Sequence, residues 1–144
     1  MIRAVVDTNV LVSGIVSQRL KPPTATAAVV AAWRAGLFEL VLSAHIIDEV
    51  DRTLRKPYFA RRIDDTTRAR LLVLLRRRSR VVELSTRLTG IATHPEDDLV
   101  LSAAVSARAD YLVTGDRPLL ALGSHQGVRV VTPRAFLTVL QEIR

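Results

Sequence analysis

The sequence contains no cysteine, which excludes a disulfide framework, a thiol nucleophile and a thiolate zinc site. Aromatic residues make up only 4% of it, too few for a base-stacking platform of the single-strand-binding type. Lysine is nearly absent, with Lys21 and Lys56 against nineteen arginines. No apolar run approaches the roughly 20 residues that a membrane span needs. The N-terminus passes from Met1 through Val6 into Asp7 without the apolar core of a signal peptide. No glycine-rich phosphate loop is present, which argues against an NTPase. The three histidines lack metal-ligand spacing, and His45 near a helix start and His125 in a turn are expected to be solvated. A cytoplasmic protein with no membrane partner is the expectation.

What is present suits one domain over residues 1–144: 49% apolar and 24% charged residues exclude a disordered or collagen-like chain. The net charge of +7 is unevenly spread. Between Arg52 and Arg80 eleven basic residues stand against two acidic, a local +9, while the rest carries ten basic and twelve acidic, a local −2. Segregation of this kind points to one cationic surface and a polyanionic partner, although a solvated helix face accounts for it as well.

Short apolar, β-branched runs at Ile2–Val6, Phe38–Leu42, Val81–Leu84, Tyr111–Thr114 and Val128–Val131 alternate with helical patterns. The helices start at Thr8 or Asn9, after Thr24, after Ser43, near Thr66, at the capping box Thr93-His94-Pro95-Glu96, and at Pro133. Strands without polar alternation, separated by helices, are the pattern of a buried parallel sheet. The fold class expected is α/β, a three-layer α/β/α sandwich with a parallel sheet.

Such a sheet binds ligands beyond the carboxyl ends of its strands. Asp7 follows the first strand, Glu49 lies under two turns into the helix leaving the second, and Asp116 lies just past the fourth. Asp97 and Asp98 occupy the first turn of the helix that runs back down before the fourth strand. Each has a plain alternative: a cap, a dipole partner, a turn or a solvated face. Convergence of four segments on one rim is what favours function. Unpaired carboxylates so placed repel one another, and a hard divalent cation, Mg²⁺ or Mn²⁺, removes that penalty while activating water against a phosphodiester.

The stretches Val5-Val6-Asp7-Thr8-Asn9-Val10-Leu11-Val12-Ser13, Leu42-Ser43 through Glu49-Val50, Asp97-Asp98-Leu99-Val100-Leu101-Ser102-Ala103-Ala104 and Ala109-Asp110-Tyr111-Leu112-Val113-Thr114-Gly115-Asp116, in that order, resemble the PIN-domain family. This is a family of metal-dependent ribonucleases that includes the toxins of prokaryotic toxin–antitoxin pairs. The resemblance implies strand order 3-2-1-4-5 and an acidic quartet of Asp7, Glu49, Asp98 and Asp116 as catalytic metal ligands. Asp98 is preferred to Asp97 on its spacing to Leu101 and Ala104. Asn9, Thr114, Asp97 and Ser43 are expected in supporting positions around the quartet. Where many toxins of the family carry Thr-x-Asn, this chain has Thr114-Gly115-Asp116.

The implied activity is that of an Mg²⁺- or Mn²⁺-dependent endoribonuclease, with RNA as substrate, a small antitoxin as partner, and pairing into a homodimer. Charge alone adds Arg61, Arg62, Arg70, Arg76, Arg77 and Arg80 as candidate RNA contacts. A non-catalytic RNA-binding or antitoxin-docking module of the same fold is the competing expectation. A haloacid-dehalogenase phosphatase is excluded because Asn9 stands where its second carboxylate belongs, and no lysine follows the later strands. A response-regulator receiver fails for the same missing lysine.

Overall fold

The computed structural model describes residues 1–92 and 94–143. The apolar run Arg3–Val6 forms β1, whose Ala4, Val5 and Val6 are fully buried. It pairs in parallel with β2 (Glu39–Ser43) on one side and β4 (Tyr111–Val113) on the other. Outside them lie β3 (Arg80–Val82), parallel to β2, and β6 (Val128–Val131), parallel to β4. The short β5 (Ser124–His125) runs antiparallel to β6, so the order is β3-β2-β1-β4-β6-β5. The five parallel strands follow the expected order, and an antiparallel edge strand is added to them.

That added strand corrects the placement of His125 in a turn. The turn is Gln126-Gly127, with φ of 46° and 85°, and two successive positive φ values are what a tight hairpin between twisted strands requires. His125 is half-buried in β5.

The helices are α1 (Thr8–Val16), α2 (Ala25–Arg34), α3 (Ala44–Leu54), α4 (Pro57–Ala60), α5 (Asp65–Arg77), α6 (Pro95–Ser106), α7 (Arg117–Ala121) and α8 (Pro133–Glu142). Helix α1 packs against α2 and α3, and α6 packs against β1, β2 and β4. Side-chain oxygens cap several of them: Thr24 for α2, Ser43 for α3, Asp64 for α5, Asp116 for α7 and Thr132 for α8. Each such cap stabilises its helix by about 1 kcal/mol. At α6 the cap position is His94, with no side-chain cap bond, so the helix starts one residue later than the expected capping box would place it. Thr93, the first residue of that box, lies outside the described residues.

The core fills the space between the layers. Phe136 of α8 is fully buried and meets Phe38 edge-on at 4.9 Å and Tyr111 at 5.7 Å. Trp33 of α2 donates its indole N–H to the Arg78 carbonyl at 2.9 Å, tying α2 to the end of α5. The helices α1 and α2 touch at Gly14, where a Cβ would stand 2.4 Å from the Thr26 carbonyl oxygen and 2.5 Å from Val30 Cγ2. β3 ends at Val82, two residues before the expected Leu84. Beyond it the backbone bonds to α6 side chains rather than to β2.

Candidate active site

Buried polar side chains are few and concentrated. Among the described residues they are Asp7, Thr8, Ser43, Asp98, Ser102 and Thr114. Asp7, Ser43 and Thr114 sit where β1, β2 and β4 end, at the same edge because these strands are parallel.

Asp7 stands at the N-cap position of α1 but makes no side-chain cap bond. Its Oδ2 instead accepts from the Thr114 hydroxyl at 2.8 Å, and Thr114 Oγ1 accepts in turn from the Asp116 N–H at 3.0 Å. One threonine thus links the ends of β1 and β4. Asp116 caps α7 through Oδ2, at 2.9 Å from the Leu119 N–H. Ser43 caps α3, accepting from the Ile46 N–H at 3.3 Å, and so sets the start of the helix that carries Glu49.

These ends enclose a crevice of about 510 Å³. Asp7, Glu49, Asp97 and Asp116 line it together with Glu96, and Asn9, Ser13 and Thr26 supply its polar wall. Asp98 is not part of it, which corrects the choice made between the adjacent aspartates. The Asp98 carboxylate turns away and accepts from the Gly90, Ile91 and Ala92 N–H groups. In helical phase it falls with Leu101 and Ser102, which are fully buried, whereas Asp97 falls on the crevice side.

Crowding of like charge is written into the titration of the cluster. Burial pushes the Asp7 carboxyl above the usual carboxylate range despite the bond from Thr114, and neighbouring Asp116 adds to the rise. Glu49 is raised by burial and then by repulsion from Glu96. Asp97 is pushed up to about 6, first by burial and then by repulsion from Asp116 and Asp7. Thr8 Oγ1, His45 Nε2 and Glu49 Oε2 are buried without a hydrogen-bond partner. His45 Nε2 lies 3.5 Å from Glu49 Oε2, so the His45 side chain is partly exposed with its ring nitrogen turned toward that carboxylate rather than to solvent.

An all-oxygen donor set under mutual repulsion fits a hard divalent cation. Asp7, Glu49, Asp97 and Asp116 are the residues that could hold one. The cluster is open: among the described residues no three acidic or histidine side chains are drawn together into a ready-made coordination shell.

The model of the PIN domain matches residues 3–118, most of the chain. The chain belongs to the PIN-domain family. No curated protein sequence matches it. Among solved structures, this PIN domain is similar to a chain in the crystal structure of VapBC2 from Rickettsia felis bound to a DNA fragment from their promoter. The TM-score is 0.59 at 16% identity, over 91% of this chain and 98% of that one.

The arginines singled out in the sequence do not gather at the crevice of this PIN domain, and none of the six lines it. Arg62 lies over the Tyr58 ring at 3.7 Å. Arg80 pairs with Glu39 at 3.5 Å, at the opposite end of β2. Arg61, Arg70 and Arg77 are exposed. Arg76 borders a small hollow with Ala44, Ile47, Asp48 and Val81, beside the start of the helix that carries Glu49. Sequence reasoning missed Glu96, Ser13 and Thr26 as crevice residues. Ser13 lies one turn beyond Asn9, and that spacing was the available signal. No helix among the described residues is long and apolar enough to cross a membrane.

Proposed function

We propose that this PIN domain, taken as a single domain over residues 1–144, is an Mg²⁺- or Mn²⁺-dependent endoribonuclease that hydrolyses RNA phosphodiester bonds. PIN domains are generally nucleases, and one observation of the chain carries the proposal. Four chain segments bring Asp7, Glu49, Asp97 and Asp116 to one crevice, where burial and mutual repulsion hold three of the carboxyls above their usual range. Repulsion of this kind is hard to account for as structure alone, because capping and solvation need no such convergence.

A divalent cation bound there supplies Lewis-acid charge and lowers the pKa of bound water. The chain's own contributions are positional. Thr114 fixes Asp7 and the backbone of Asp116 relative to each other. Ser43 and the short spacing to Glu49 set where the α3 carboxylate enters. Asn9, Ser13 and Thr26 offer hydrogen-bonding groups to substrate on the α1–α2 side. Exposed Arg61, Arg70, Arg76 and Arg77 are proposed to attract the RNA backbone without reading its sequence. Arg62 and Arg80 are partly engaged within the chain and are weaker candidates.

The similarity to a toxin–antitoxin complex supports a small antitoxin as partner, with this chain as the toxin. Pairing into a homodimer and a cytoplasmic location go with that role. The decisive test is cleavage of varied RNA substrates in Mg²⁺, in Mn²⁺ and in chelator, by wild type and by Asp7→Asn. Metal-dependent cleavage that Asp7→Asn abolishes is expected. Equal cleavage by both proteins, or none by either, favours the non-catalytic module.

A further inference from the structure

The stretch 83–92 between β3 and α6 forms neither helix nor strand, yet three side chains one turn apart on α6 hold its backbone. Ser106 Oγ accepts from the Thr86 N–H at 3.0 Å and donates to the Thr86 carbonyl at 3.2 Å. One turn earlier, Ser102 Oγ accepts from the Leu88 N–H at 2.8 Å and donates to the Asp98 carbonyl at 2.6 Å. One turn earlier again, Asp98 accepts three N–H groups: Gly90 on Oδ2 at 3.0 Å, and Ile91 and Ala92 on Oδ1 at 3.1 and 2.6 Å. The strap therefore runs antiparallel along α6 and is pinned most firmly next to Glu96 and Asp97.

A hydroxyl is enough to pin the strap at Ser102 and Ser106. At the crevice end the chain buries a carboxylate instead, 6% exposed, and satisfies it with three donors. The location explains the difference. Glu96 and Asp97 of the same turn line the acidic crevice, and the three-bond anchor at Asp98 holds that turn in place.

We infer that Asp98 is a positioning residue: by gathering the N–H groups of Gly90, Ile91 and Ala92 it fixes the entry into α6, and with it the direction in which Asp97 and Glu96 face the crevice. The inference rests on the metal-centre assignment above. Ser106→Ala is the structural control, because it loosens the far end of the same strap and leaves the Asp98 contacts in place.

The test is Mn²⁺ binding to the full chain by wild type, Asp98→Asn and Ser106→Ala, read from the free-Mn²⁺ spin-resonance signal. Ser106→Ala is expected to bind within twofold of wild type and Asp98→Asn roughly tenfold more weakly. RNA cleavage by Asp98→Asn should recover at high Mn²⁺ with its KM for RNA unchanged. Should Asp98→Asn fail to fold, wild type alone decides by reciprocity: whatever order favours metal binding is favoured by metal binding. Amide exchange at residues 90–92, followed by mass spectrometry, should then slow at least threefold on adding Mg²⁺. Wild-type affinity in Asp98→Asn, a loss that excess Mn²⁺ does not restore, or exchange at residues 90–92 unchanged by Mg²⁺ overturns the inference alone. Wild type that takes up no Mn²⁺ overturns the metal-centre assignment and the inference with it.

Discussion

Replacing either of two neighbouring aspartates by asparagine should move stability in opposite directions. In metal-free wild type, the Asp97 carboxyl is held at about 6 against an ordinary value of 3.8. The folded chain therefore binds this proton more tightly than the unfolded chain does. Below about pH 4 both states are protonated and nothing is lost. As the pH rises from about 4 to about 6 the unfolded chain releases the proton first, so stability falls and then stays low. At about 1.4 kcal/mol per pH unit the full effect is roughly 3 kcal/mol. The side chain is only partly buried, and solvent screening reduces that to about 1–2 kcal/mol. Loss of a carboxylate from the first turn of α6 takes back roughly 0.5 kcal/mol through the helix dipole. Asp97→Asn should thus be more stable than wild type by about 1 kcal/mol at pH 7.5 in chelator. Asp98→Asn replaces one oxygen that accepts buried N–H groups by an amide that donates, and should destabilise by about 2–4 kcal/mol. Urea unfolding of the three proteins at pH 7.5 and pH 4, without metal, measures both differences. Equal destabilisation by the two variants, or an Asp97→Asn gain that persists unchanged at pH 4, refutes the reasoning.

Thr114→Val removes the hydroxyl that joins Asp7 to the Asp116 backbone while keeping the side-chain shape. It should cost about 1 kcal/mol of stability and weaken Mn²⁺ binding, with Thr114→Ser restoring both; calorimetric titration checks this. Gly14→Ala drives a methyl into the Thr26 carbonyl and Val30 and should destabilise by about 1–3 kcal/mol, visible as a lowered urea midpoint. RNA affinity should fall with added salt and on joint Arg76→Ala and Arg77→Ala substitution, which should also flatten the salt slope. Filter binding across a salt series measures both, and affinity insensitive to either removes α5 from the RNA surface.

Much of the framework was legible because period and punctuation agree in this chain. Ala4, Val5 and Val6 of the first strand and Val128 and Val130 of the last parallel strand are buried, with caps and prolines marking where the helices between strands begin. The convergence of Asp7, Glu49 and Asp116 followed from parallel strands alone, since every strand end then lies at one edge. The choice between Asp97 and Asp98 was not legible from spacing. A difference of one residue turns a helix by about 100°, and both aspartates precede plausible apolar ladders. The polar column Asp98, Ser102, Ser106 was visible in the sequence, but its partner is the irregular stretch 86–92, which has no periodic pattern to reveal where it lies. His45 lies one turn before Glu49 on α3, a helical spacing present in the sequence, and its ring nitrogen turns toward that carboxylate while the side chain stays partly exposed. The added β5 depended on a Gln-Gly turn, a weaker hairpin signal than Asn-Gly.

The central claim is that the crevice quartet is Asp7, Glu49, Asp97 and Asp116, acting as a metal-dependent nuclease centre. Single-turnover cleavage of labelled RNA in Mn²⁺ tests it most directly, comparing wild type with Asp7→Asn, Glu49→Gln, Asp97→Asn, Asp116→Asn, Asp98→Asn and the exposed control Asp48→Asn. Each of the four crevice variants should lose at least about a hundredfold in rate, on the order of 2.7 kcal/mol of barrier, while Asp48→Asn matches wild type and Asp98→Asn recovers with added Mn²⁺. Wild-type cleavage by Asp97→Asn, with Asp98→Asn inactive at every Mn²⁺ concentration, would contradict it.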